Sequence, residues 1–439
     1  MRKFVLMCGI LAASSGIASF CAPVAAAQDA QPQSKVEYTI PEYNAFTAAR
    51  TEKDPQARVK LLDEFVAKFP NSTLNSYIYQ LYYSTYNDLK NYQKTIDYVD
   101  RLVALGDKID AGTRLQALYT RTLVFNYVAS DKSPENVLKK ELAAAEQGLT
   151  ILGSLPKPAN MTDDQFAEQK KGPTVLFNYT AGLCSYGLKD YSGAISHFKI
   201  AGALSPDDGQ TSYHLGLSYI SSNPPQWLDG FWAVARAIDL RVNGADQIKA
   251  YLRKQIGNYE QPNCDNLVDA QLDELLQLAA NSPNRPDTWS IPSAADLAKI
   301  AGSSTIVTVI SDLKAGGDKA KMTWLAICGA EFPEVVGKVI DVAAGATPDT
   351  VELHVYTGAT PEEMQSATTS NMDVKVVGQP EASRLLKDDA ARFSGTLSGY
   401  DPDPAFMLHW DKGKVNAEDI PAEKAKHTPH KVPAKPGKQ

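Results

Sequence analysis

At 439 residues the chain is too long for a single compact core, so two or three domains are expected. A hydrophobic share of 44% beside 22% charged residues is that of a folded globular protein and excludes a mostly disordered chain. The formal net charge of -7 argues against a protein built to coat nucleic acid and, outside one short C-terminal segment, against anchoring on anionic lipid.

Arg2 and Lys3 precede an uncharged, mostly apolar stretch from Phe4 to Phe20. Ala25, Ala26 and Ala27 then supply the small residues a signal peptidase requires, so residues 1–27 read as a signal peptide cut after Ala27. Two rivals are weaker. An uncleaved anchor conflicts with a short stretch rich in small residues, and a lipoprotein conflicts with bulky Phe20 before Cys21. The expectation is export, to a periplasm or beyond the cell, with no transmembrane segment in the mature chain. Residues 28–39 read as a linker.

Helical periodicity then runs from residue 40 to residue 243. Residues 45–68, with Leu61, Leu62, Phe65 and Phe69 before Pro70, read as a first helical hairpin. Residues 74–105 read as a second, with Tyr92 opening its second helix, and residues 111–127 with 135–152 as a third. An insertion is expected over residues 156–171. Two segments that repeat at a shift of 34 residues follow. Tyr179, Gly182 and Leu183 recur as Tyr213, Gly216 and Leu217, and in the first copy Tyr191, Ala194, Phe198, Ala201 and Pro206 continue the register.

That period and those spacings resemble a tetratricopeptide repeat, best over residues 173–208. Gly182 and Ala194 are small where two antiparallel helices cross, Ala201 makes room for the next repeat, and Tyr191 and Phe198 fill the space between helices. Pro206 ends the second helix. In the second copy Asn223, Pro224 and Pro225 lengthen the turn, and Gly230, Val234 and Ala237 take the small-large-small places about two residues late. Each hairpin alone exposes an apolar face, so the units must stack. Residues 244–292 are expected to cap the stack with two amphipathic helices, one carrying Ile248, Tyr251, Leu252 and Ile256 on one face, and to end in a linker rich in Pro, Asn and Ser.

Beyond it, over residues 293–420, come two or three short helices and then a change to period two. Val335–Val342, Val351 to Val355, Met372 to Val376, Phe393 to Leu397 and Phe406 to Trp410 read as five strands with one buried face each. With one helical interruption near residues 382–389, and with Gly395 and Gly399 in a bending strand, this loosely resembles an OB-like barrel; a small α/β sandwich is the alternative. The fold expected is therefore multidomain, an α-helical solenoid followed by a small α/β domain. The last residues, 421–439, form a basic tail rich in Pro, Lys, Ala and His without apolar periodicity, read as disordered and able to touch an acidic cell-wall polymer or lipid surface.

Chemistry is sparse. No metal-ligand spacing, phosphate-cradling glycine loop or nucleophile elbow appears, so no enzyme, metal or cofactor is expected. The three cysteines that survive processing, Cys184, Cys264 and Cys328, are too few for a disulfide framework. Buried free thiols are expected, with one bond, such as Cys264 to Cys328, open in an oxidising compartment. Among six histidines, His197 and His214 sit on repeat helices with structural roles, and His427 and His430 lie in the tail. His354 and His409, on the polar faces of two strands, are read as converging with Asp411.

The tetratricopeptide resemblance implies a binding function, since there the first helix of each repeat lines a concave face. Carried onto this chain, those positions are Leu176, Tyr179, Leu183 and Tyr186, then Tyr213, Leu217 and Ile220. They imply an apolar and aromatic groove for a hydrophobic protein segment or peptide. Relatives that clamp a C-terminal carboxylate use Lys and Asn at some of these places, where Tyr179, Leu183, Tyr213 and Leu217 stand, so no such clamp is implied. The competing expectation is that these side chains pack against neighbouring helices. An alternative function is glycan binding by the C-terminal domain, with Tyr356, Tyr400 and Trp410 as stacking surfaces.

Overall fold

The computed structural model describes residues 38–422. The segment read as a signal peptide, most of the 28–39 segment and nearly all of the basic tail lie outside the described residues. The chain divides into two compact units. One holds the residues up to Leu252 with Leu275–Thr288, the other Arg253–Glu274 with the chain from Trp289.

The first unit is a succession of helices: α1 (Ile40–Thr51), α2 (Pro55–Lys68), α3 (Asn75–Asp88), α4 (Tyr92–Val103), α5 (Ala111–Val128), α6 (Glu135–Ser154), α7 (Asp163–Gly187), α8 (Tyr191–Leu204), α9 (Gly209–Ser221) and α10 (Trp227–Asp239). Each helix packs on the next, α5 also packs on α7, and α7 on α9. This is the stacking that the apolar faces demand. The short polar turns are helix starts: Asp54, Asn91, Asp110, Asp190 and Asp208 each accept a backbone N–H from the first turn that follows. The segment expected as an insertion is partly helix. Thr162 and Gln165 form a capping box that starts α7 at Asp163, ten residues before Pro173, which therefore lies inside the helix. Proline removes one intrahelical donor, so it was the natural place to start a helix in the sequence; the cap upstream outweighs that loss.

Close helix crossings depend on glycine. A Cβ on Gly182 would lie 2.8 Å from the Phe198 ring, and one on Gly216 would lie 2.6 Å from Val234 and 2.9 Å from the Gly230 carbonyl oxygen. Gly230 in turn faces Ile220, and Gly148 of α6 faces the ring of Phe177 on α7. Buried charge joins three other helices: Arg121 of α5 pairs with fully buried Glu141 of α6 and, at 2.9 Å, with Asp100 of α4.

Helices α11 (Ala245–Glu260) and α12 (Asn266–Asn281) follow, contributing residues to both units. Within the first unit, the indole N–H of Trp232 donates to the Ser282 carbonyl and Arg285 pairs with Asp229 at 2.8 Å, so the 275–288 segment is fastened to α10. No helix among the described residues is long and apolar enough to cross a membrane.

In the second unit α13 (Ala294–Ser303), α14 (Ile306–Ala315) and α15 (Gly317–Ile327) precede β1 (Glu331–Ala344) and β2 (Thr350–Tyr356). Then come α16 (Pro361–Ser366), β3 (Met372–Val377), β4 (Ala390–Asp401) and β5 (Met407–Val415). The five strands close into a barrel in the order β1-β2-β3-β5-β4, with β3 and β5 parallel and the other pairs antiparallel. A closed OB-like barrel, not a sandwich, is therefore the outcome. Alternate residues point inward, and Leu353, Val355, Met372, Val374, Phe393, Leu397, Leu408 and Trp410 form its core. Trp410 is 1% exposed against Phe332 and Phe393, which removes it as a stacking surface. The helical interruption expected near residues 382–389 is only a 3-10 turn, Pro380–Arg384, followed by Asp388 in the left-handed region; the α-helix between strands is α16.

Two features of this unit were not legible as such. Cys264 and Cys328 are bonded, against the expectation of free thiols, because the turn after α11 and the end of α15 bring their Cα atoms to 5.8 Å; among the described residues the remaining cysteine, Cys184, is free and buried. Closing a loop of 64 residues restricts the unfolded chain by about 4 kcal/mol. The second feature is Glu260, fully buried at the end of α11. One carboxyl oxygen accepts from Gln271 at 2.9 Å and the other has no hydrogen-bond partner among the described residues. Burial pushes this carboxyl from the ordinary 4.5 up to about 7. This group thus binds more proton in the folded form than in the unfolded chain between those values, so its contribution to stability is fully present below 4.5 and is lost as pH rises to about 7. Glu260→Gln keeps an acceptor for Gln271 and should flatten this part of the curve, measured by urea unfolding of the full chain between pH 4.5 and 7.5.

Candidate functional site

The groove positions lie on α7 and α9, whose last turns carry Tyr186 and Ile220. Phe177, Ala181 and Cys184 share α7 with them and are fully buried toward α5 and α6, so the helix is anchored on one side and presents the remaining stripe on another. The seven positions are not equivalent. Leu183 and Ile220 are 7% and 8% exposed: Leu183 packs with Ala194 and Phe198, and Ile220 covers Gly230. Leu176, Tyr179, Tyr186, Tyr213 and Leu217 are half-buried and keep accessible surface. Tyr179 sets its ring edge against Phe198 and His214, both at 5.9 Å, and Tyr186 meets Tyr191 at 5.7 Å.

Of the packing positions, Ala194, Phe198 and Ala201 are completely buried, Gly182 and Gly216 lie at helix crossings, Tyr191 is half-buried and Pro206 sits exposed in the α8–α9 turn. His197 and His214 are held locally, the first by the Asn178 side chain at 3.0 Å and the second by the Gln210 carbonyl at 2.9 Å. Burial lowers both imidazoles below their ordinary range, so they are neutral packing groups.

Tyr251, read as part of an apolar helix face, shares an electrostatic environment with Tyr186 and Tyr213. Burial pushes all three phenols up, Tyr251 to about 12, with the other two adding to its shift. All three therefore keep their protons at neutral pH, and the Ser221 hydroxyl hydrogen-bonds Tyr186. Asp131, in the turn between α5 and α6, acts electrostatically on Tyr186 and Tyr213. Ser130, Asp131, Ser133 and Pro134 mark this turn in the sequence, but its approach to Gly187 at the end of α7 comes only through helix stacking.

On the barrel, the histidines do converge, but not on Asp411. Since β3 lies between β2 and β5, Asp373 stands between His354 and His409: it accepts from His354 Nδ1 at 2.6 Å and lies 3.6 Å from His409 Nδ1. His409 Nε2 pairs with Asp401 at 2.9 Å. Asp411 is two residues along β5 from His409, opposite Thr396, and takes no part. The outcome is a chain of alternating imidazole and carboxylate groups on the outer face of the barrel, with His354, Asp373 and His409 about one-third exposed and Asp401 largely exposed. No cluster of three or more His, Cys, Asp or Glu that would hold a metal ion exists among the described residues. Tyr356 is half-buried, and Tyr400 packs on Trp324 with ring centroids 5.0 Å apart.

No protein-family model matches the chain, and no curated protein matches it either.

The unequal burial of the stripe predicts that Leu183→Ala destabilises the first unit by about 2–5 kcal/mol, as for a core leucine. Leu217→Ala should lower stability less, by about 1 kcal/mol, because part of its side chain is already in water. Denaturant unfolding of the two variants beside wild type checks both; equal losses would show that Leu217 belongs to the core as well.

Proposed function

We propose that this chain is an exported, non-enzymatic scaffold of tetratricopeptide type that holds a protein or peptide along the stripe on α7 and α9. The observation that carries this reading is the half-buried set Leu176, Tyr179, Tyr186, Tyr213 and Leu217. These large apolar and aromatic side chains remain accessible although the glycine crossings beneath them are tightly packed. Aromatic anchors of this kind, part desolvated before a partner arrives, are the groups that dominate protein association. Export is supported by the leader at residues 1–27 and by the Cys264–Cys328 bond, since disulfides persist in oxidising compartments.

Leu176 and Leu217 are the positions to change, because neither is core. A Leu176→Lys/Leu217→Lys variant keeps its long stems on the surface and adds two charges to an apolar contact. Cross-linked capture from a native envelope extract should recover a protein with wild type and lose it with the variant, at unchanged unfolding midpoint. Capture of the same proteins by both would rule out the stripe as the binding surface.

A second reading is favoured by the barrel. The chain Asp401, His409, Asp373 and His354 presents donors and acceptors in a row on one strand face, a pattern that suits sugar hydroxyls, with Tyr356 beside it. Soluble cell-wall fragments titrated into the full chain by calorimetry should then bind wild type and fail with His354→Ala/Asp373→Ala; absence of heat with wild type discards this reading.

A further inference from the structure

Three tyrosines on α3 and α4 stack on one another. Tyr82 of α3 and Tyr98 of α4 lie face to face, with ring centroids 3.9 Å apart and planes 11° from parallel. Tyr86 continues the column, 6.1 Å from Tyr82 and 5.5 Å from Tyr98, inclined to them by 9° and 20°. Aromatic pairs usually keep their centroids about 4.5–7 Å apart, so the first contact is unusually close. Tyr82 is 1% exposed and donates its hydroxyl hydrogen to Asp63 Oδ1 at 2.7 Å. Asp63, on α2, is itself exposed, and Tyr98 is half-buried, so the column runs from the core to the surface.

Cations stand over the other two rings. Arg101 Cζ lies 4.9 Å from the centre of the Tyr98 ring and Lys94 Nζ 5.4 Å from that of Tyr86. A cation held on the electron-rich face of a ring opposes withdrawal of an electron from it. Tyr82 has the opposite surroundings, a carboxylate at its hydroxyl. Burial, then that hydrogen bond, push the Tyr82 phenol well above its ordinary range, and burial raises Tyr98 as well. Both phenols therefore keep their protons at neutral pH, and a ring that loses an electron must also lose a proton. Asp63 is placed to take the one from Tyr82.

We propose that Tyr82 and Tyr98 form an oxidative modification site, at which a one-electron oxidant such as an oxygen-centred radical joins the two rings as dityrosine and ties α3 to α4. Each phenol gives one electron to the oxidant and its hydroxyl proton to a base, Tyr82 to Asp63 and Tyr98 to water. The two phenoxyl radicals form one carbon–carbon bond between ring positions ortho to oxygen. The hydrogen on each of those carbons then moves to oxygen and restores two phenols. The net change is the loss of two electrons and two protons, with two equivalents of oxidant reduced. Face-to-face stacking sets the ring carbons of one phenol opposite those of the other, so the partners are held together before either is oxidised. A second stacked pair, Tyr92 with Tyr127, supplies the comparison: its centroids are 4.7 Å apart and Tyr127 is 62% exposed, which favours access to oxidant over proximity.

The test oxidises the purified full chain with photogenerated ruthenium(III) tris-bipyridine, persulfate being the final electron acceptor. Dityrosine is read by fluorescence and its position by mass spectrometry of tryptic peptides. The expected product joins residues 69–90 to residues 95–101 and is lighter than the two peptides by two hydrogen atoms. The chain has 20 tyrosines, yet at low oxidant this junction should predominate. Tyr82→Phe and Tyr98→Phe each keep a ring in the stack and should abolish it. Asp63→Asn keeps an acceptor oxygen for the Tyr82 hydroxyl but cannot take its proton, and should slow the junction by about a hundredfold. Thermal unfolding checks each variant, and the two phenylalanine variants carry the test should Asp63→Asn not fold. Junctions spread over the chain, a predominant Tyr92–Tyr127 product, or a junction that survives Tyr82→Phe would overturn the site. Equal rates in wild type and folded Asp63→Asn would overturn the proton route on which the site depends.

Discussion

Three helix crossings of the first unit, α6 with α7, α7 with α8 and α9 with α10, close up because glycine stands where the helices meet. At Gly216 the neighbouring helix offers both a Val234 methyl and the Gly230 carbonyl at distances that leave no room for a Cβ. A protein interior packed to crystal density has no slack there, so a methyl would push whole helices apart instead of displacing a side chain. Gly182 beneath Phe198 and Gly148 beneath Phe177 repeat the arrangement, each pairing the smallest residue with a large ring. The ring that covers the glycine is fully buried in both cases, so one contact sets both the spacing of the helices and the depth of the core.

That spacing determines what the stripe on α7 and α9 can offer. With the backbones close, Leu183 and Ile220 are drawn into the packing, while Tyr179, Tyr186, Tyr213 and Leu217 are left at the edge, half in water. The α5–α6 turn likewise comes close to the end of α7 at Gly187. Accessible aromatic surface is thus a consequence of tight packing, not a departure from it. The second unit solves its own problem differently. Its barrel has a continuous inward-facing core, and the Cys264–Cys328 bond fastens the turn after α11 to the helix leading into β1.

Much of this was legible in the amino-acid order. Strand alternation at Val351 to Val355 and at Met372 to Val376 identified inward and outward faces, because a side-chain period of two leaves no other reading. The 34-residue echo placed α7 to α10 and the glycines between them. The misses have physical causes. Residues 156–171 were read as an insertion, whereas the Thr162 cap starts α7 inside them, ten residues before Pro173. Trp410 was assigned to a surface for its chemistry although its register with Leu408 already pointed inward.

The sequence by itself determined the period of the helical hairpins, the inward and outward faces of the strands and the residue types available at each face, because these follow from local geometry and polarity. Only the tertiary structure decided which of those residues meet. Asp373 replaced Asp411 between the histidines because β3 inserts between β2 and β5, an order that alternation along one strand cannot encode. The Asp131 carbonyl reached Gly187 because the α5–α6 turn and the end of α7, far apart in the chain, stack together. Cys264 met Cys328 for the same reason. Side-chain chemistry is written residue by residue, but the distances that turn it into a site are set by packing between segments, and packing depends on every crossing at once.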